Sequence, residues 1–259
     1  MGAVLGPVMA AATRLRPDPA WEPLWLGVAF AGPAGGLLLT NLEGWHTGLA
    51  PALWLTIALC LGLFGGMRWH YPVAARLSPL LMPYLLLLGG MALILSAVFG
   101  PLRDGATPRP WIMVHIAVSV VTYALVTLAG IAALAAFLQE RALRRKRPSA
   151  LTRALPALAQ SEWLQIRLLG MAELVLSLGL MSGMLLSWQE HGRPMPLDHK
   201  SLLSLATFIL IGALLWVQVR TGLRGRQAGR LVLVAYLLLT LAYPGVKFVS
   251  EIVLRRVAF

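Results

Sequence analysis

The stretch Trp111-Ile112-Met113-Val114-His115, running on through Ile116 to Leu138 and closing at Arg144-Arg145-Lys146-Arg147, decides the fold. Between Arg109 and Glu140 it holds no Asp, Glu, Lys or Arg, and one histidine, His115. About 20 apolar residues cross a hydrocarbon core of roughly 30 Å, so a run of this length reads as a membrane-spanning helix. The basic cluster at one end and the imidazole near the other give the span a direction. An ionisable side chain inside such a span marks a functional site by default.

The rest of the chain agrees. Of its 259 residues only 12% are charged, half of what soluble domains carry (about 25%), and mean hydropathy is +0.76. Further apolar runs are Leu24–Thr40, Leu49–Met67, Leu80–Val98, Leu168–Trp188, Leu202–Val219 and Leu231 to about Ser250. With the first stretch they predict seven spans. Gly2–Thr13 predicts an eighth, read as a truncated or tilted first span or an interfacial segment. The expected fold is therefore all-α, a polytopic transmembrane bundle in a single membrane domain over 1–259. Only helices and closed barrels satisfy backbone hydrogen bonds in lipid.

The net charge of +12 does not point to nucleic acid, because the basic residues sit at the ends of apolar runs. Lys and Arg concentrate in the cytoplasmic loops of such proteins. Placing the 140–167 connection inside puts 15 of the 22 basic residues on that side. The 220–230 loop is then also cytoplasmic, while His115 and the 189–201 loop face outward, as expected for a bacterial inner membrane. A short surface helix is expected around Leu158–Gln165. The lone cysteine, Cys60, excludes an intrachain disulfide.

Three sets of residues stand out. His115, Ser119 and Tyr123 recur every fourth position and share one helix face. Such a stripe is either a ligand site near the outer leaflet, with His115 binding haem iron or another metal, or a set of interhelical hydrogen bonds. Glu173 is a lone carboxylate inside a span. It is expected to pair with a base such as Arg167 or to bond a neighbouring helix when protonated, with a proton or ion pathway as the other reading. Asp198, His199 and Lys200 precede the next span, Asp198 as an N-cap and Lys200 as an interfacial anchor. Gly179 and Gly183 have the small-xxx-small spacing that lets helices approach closely. No phosphate loop, catalytic triad or zinc constellation is present, so no enzymatic activity is expected.

Taken in order, these features resemble the cytochrome c assembly membrane proteins, and within them the HemX-like branch akin to the CcsA and CcmC haem-handling proteins. The resemblance rests on Val114-His115-Ile116 with Ser119 and Tyr123-Ala124, then Leu155-Pro156 to Glu162, Ser182-Gly183, and Asp198 with Lys200. It continues with Gly222, Arg224, Gly225 and Arg226, and ends on Leu241 to Gly245. It implies an outer-face axial haem ligand at His115 and an Asp198–Lys200 segment beside the haem, with His199 or His191 as a substitute second ligand. Gln218 and Leu254 occupy positions where relatives are expected to carry histidines. The implied role is handling haem for assembly of c-type cytochromes or respiratory complexes, beside apocytochrome assembly factors or other membrane proteins. The alternative is a scaffold or accessory subunit of a transporter that has lost haem ligation.

Overall fold

The structure, a computed structural model, describes residues 31–33, 35, 46–99, 102–103, 110–192, 199–221 and 226–245. Helix α1 spans Leu49–His70, and a 3-10 turn over Pro72–Leu77 leads into α2, Ser78–Phe99. Then come α3 (Pro110–Arg145), α4 (Ala150–Ala154), α5 (Leu158–His191), α6 (His199–Thr221) and α7 (Arg226–Thr240), followed by one π-helical turn, Leu241–Gly245. The strands β1 (His46–Thr47) and β2 (Leu102–Arg103) form one antiparallel rung pairing His46 with Arg103. The molecule is an all-α membrane protein.

Among the described residues, five helical segments are long and apolar enough to cross a membrane, and Gln227–Thr240 is a shorter apolar helix. Of the further expected spans, Gly2–Thr13 lies outside the described residues, as does most of Leu24–Thr40 and the end of the last span.

Helix α3 is the axis of the bundle. Its most apolar window is 83% buried, against 17% for the corresponding window of α6. It packs most extensively on α5 and also on α1 and α7. The cause is its composition. Ala124, Ala129, Ala132, Ala133, Ala135 and Ala136 are all buried and let neighbouring backbones come close. At Gly130 an added Cβ would lie 3.6 Å from the Tyr236 ring of α7. The larger side chains Leu87, Ile94, Leu174, Leu178 and Ile209 point outward, where lipid tails solvate them.

The end of α3 is written in its sequence. Lys146 adopts a left-handed φ of 50°. The Arg147 amide donates to the Ala142 carbonyl and the Lys146 amide to Leu143, closing the helix before Pro148. Ser149 then caps α4 through a reciprocal pair of hydrogen bonds with Thr152. The side-chain amide of Gln139 donates to the carbonyls of Thr152 and Pro156 at 2.8 Å and of Leu155 at 3.4 Å. It thereby clamps the connection onto α3. Gln139→Leu removes this donor from the Thr152 and Leu155 carbonyls and leaves Pro156 only Ser161 at 3.4 Å, and it is expected to cost about 1–3 kcal/mol. Limited proteolysis at the exposed arginines of the 141–153 segment checks this: cleavage should be faster in the variant.

The expected short surface helix at Leu158–Gln165 is instead the first part of α5. No proline or glycine interrupts the chain between Pro156 and Gly170, so the helix propagates. Its Ser161, Leu164 and Gln165 are buried. Helix α5 ends where Gly192 takes a φ of 64° and its amide bonds the Trp188 carbonyl.

Candidate functional site

Helices α3 and α5 run antiparallel. Val118 faces Gly179, and His115 faces Ser182 and Gly183. A Cβ on Gly183 would sit 3.1 Å from His115 Cε1, whereas one on Gly179 would sit 3.4 Å from Val118 Cγ1. The imidazole thus lies against bare backbone of α5. This is the close approach expected from the spacing of the two glycines.

The ring is also chemically oriented. Its Nδ1 is hydrogen-bonded to Ser182 Oγ at 2.8 Å, and that hydroxyl also lies 2.9 Å from the Gly179 carbonyl. The orientation of the ring is thereby tied to α5. Metal-ligating histidines are commonly oriented in this way, by a hydrogen bond from the ring nitrogen that does not ligate. Ser182 and Gly183 were legible as motif residues, but their contact with His115 is a tertiary fact.

The expected stripe divides into two environments. Ser119 donates to the carbonyl of His115 at 2.8 Å, a bond within its own helix. Tyr123, two turns deeper, is 2% exposed and belongs to a cluster of hydroxyls. Its hydroxyl is 3.3 Å from Thr240 Oγ1, and the threonine hydroxyl also lies 2.7 Å from the Tyr236 carbonyl. The Tyr123 and Tyr236 rings stack at 6.1 Å and 22°. The hydroxyls of Tyr236 and Tyr84 are 2.6 Å apart, which brings α2 into the cluster. Tyr84 and Tyr236 carried no periodic signal that set them apart from other span tyrosines.

Glu173 is not paired as expected. The Arg167 guanidinium lies over the Trp163 ring at 4.9 Å. Glu173 makes no ion pair with a described residue, and its buried Oε2 has no hydrogen-bond partner among them. The reason is geometric: Arg167 and Glu173 are six positions apart, which separates them by roughly 120° around α5 and about 9 Å along it. Oε1 instead comes within 2.9 Å of the position a Cβ would take on Gly212 of α6. Asp198 lies outside the described residues. His199 and Lys200 open α6, whose N-terminus shares an end of the bundle with His115 because α5 and α6 are antiparallel neighbours.

Among the described residues no three His, Cys, Asp or Glu side chains cluster as a metal site. His70 lies at the other end of the bundle, its Nδ1 3.2 Å from the Gly66 carbonyl. Among the described residues the metal-ligating side chain at this end of α3 is a single imidazole.

Fold and site define a class: a multi-pass helical membrane protein with an oriented histidine near one end of its central helix. Residues 46–254 match the family described as Cytochrome C assembly protein. The chain is also 55% identical over 234 residues to an "Uncharacterized 28.8 kDa protein in nifR3-like 5'region" of Azospirillum brasilense, covering 90% of this chain and 86% of the relative. No solved structure matches. This protein belongs to the cytochrome c assembly protein family.

Proposed function

We propose that this protein binds haem at the end of the bundle marked by His115 and holds it for assembly of c-type cytochromes or respiratory complexes. It acts as a carrier and not as an enzyme. In this reading His115 would hold the haem iron and Lys200 would pair with a propionate. Ser119 and Tyr123 continue the polar face inward, and the segment of Asp198 and His199 would complete the binding region. Iron coordination is the chemistry that haem would supply. The chain's own contribution is to orient the imidazole through Ser182, to lay the ring on Gly183 and to surround it with helices. The observation that carries the reading is the hydrogen-bond chain from His115 through Ser182 to the Gly179 carbonyl. We further propose that the basic loops 140–167 and 220–230 face the cytoplasm and that His115 faces the outer side of the bacterial inner membrane.

An absorption spectrum of detergent-purified protein, expressed with ample haem, tests this. Wild type should show a Soret band that His115→Ala abolishes or shifts. Ser182→Ala should weaken haem affinity by about 10–100-fold, the usual effect of removing a hydrogen bond that orients a ligand. A folded, monodisperse wild type without a Soret band would overturn the proposal and leave His115 and Ser182 as a packing contact between α3 and α5.

A further inference from the structure

At the end of α3 opposite His115, a cleft of about 260 Å³ is lined by Phe137, Glu140, Arg141, Arg144 and Arg145. Its charges are unequal. Glu140, with a side chain only 14% exposed, engages Arg144 at 2.8 Å through both Nε and a terminal nitrogen of the guanidinium. Arg141 and Arg145 have no carboxylate partner among the described residues. The cleft therefore presents two uncompensated guanidinium groups above the half-buried Phe137 ring.

Its depth in the membrane follows from the helix. The 36 residues of α3 extend about 54 Å at 1.5 Å per residue, well beyond a hydrocarbon core of about 30 Å. The last turns thus reach the headgroup layer. Aromatic side chains lie at the same end of the bundle on neighbouring helices: Trp69 is 87% exposed at the end of α1, and Tyr71 meets Trp163 at 4.9 Å beneath Arg167. Such residues gather at membrane interfaces. A site with an apolar floor, two free guanidinium groups and a position at the headgroup layer fits a phosphate that is joined to acyl chains.

We propose that this cleft seats the headgroup of an anionic phospholipid, with Arg141 and Arg145 on its phosphate and Phe137 beneath the glycerol backbone. Native mass spectrometry of the full-length protein, in detergent with added phosphatidylglycerol or phosphatidylcholine of matched acyl chains, tests it. Wild type should retain phosphatidylglycerol preferentially. The double variant Arg141→Gln/Arg145→Gln should retain about tenfold less, while Arg153→Gln on the exposed face of α4 should behave as wild type. If the double variant does not fold, Arg145→Gln alone and wild type in high salt serve instead, and both should lose the preference. Equal retention of the two lipids, full retention by the variants, or complete displacement of phosphatidylglycerol by millimolar inorganic phosphate would each overturn the proposal. The last would indicate a site for free anions.

Discussion

Gly183→Leu is expected to loosen the α3–α5 interface by about 1–3 kcal/mol or more, the usual cost of forcing extra carbon into a packed contact. The first added atom alone would lie 3.1 Å from His115 Cε1, and the branched end has nowhere to go but between the two helices. The imidazole cannot step aside without breaking its 2.8 Å bond to Ser182. Gly179→Ala is the contrasting case. Its Cβ would lie 3.4 Å from a valine methyl, at the edge of ordinary contact, so the effect should be small. Thermal unfolding in detergent, followed by loss of the monodisperse peak, reads the difference. The double variant Gly183→Leu/His115→Ala should recover part of the lost stability, because removing the ring vacates the space. If the double variant is as unstable as the sum of its parts, the clash is not with the imidazole.

Tyr123→Ala should be the most damaging single substitution in the core, at about 3–5 kcal/mol. The side chain is 2% exposed at the meeting of α3 and α7, and its removal leaves a cavity in a layer that lipid cannot enter. Tyr123→Phe removes only the hydroxyl. Thr240 keeps its contact with the Tyr236 carbonyl, and the ring stacked on Tyr236 is retained. Its cost should stay near the roughly 0.6 kcal/mol typical of hydrogen bonds between membrane helices. The ratio of the two effects, measured by the same thermal assay, separates packing from hydrogen bonding. Comparable losses for Ala and Phe would mean that the hydroxyl network, and not the stacked ring, holds α7 to α3.

Much of this architecture was legible before any contact was known. The span from Trp111 onward had to be a helix because lipid offers its backbone no other partners. Its stripe of His115, Ser119 and Tyr123 already set one of its faces apart. The glycine pair at 179 and 183 implied a close neighbour. What the sequence pattern did not disclose was where interruptions fail to occur. The absence of a break between Pro156 and Gly170 makes one long α5 where a surface helix and a separate span were expected. Glu173 was expected to reach Arg167, but six positions along a helix separate two side chains by roughly 120° and about 9 Å.

Apolar run length, which depends only on composition along the chain, determined by itself that this protein crosses the membrane repeatedly; that α3 is its centre follows from packing. Which residues meet was decided by tertiary structure alone. The partners of His115 and Tyr123, Ser182 and Thr240, lie 67 and 117 residues away. No local periodicity encodes such distances, because they depend on how far each helix slides and rotates against the next. That register is set by where glycine and alanine allow backbones to touch, and in the α3–α5 pair it brings His115 to Ser182.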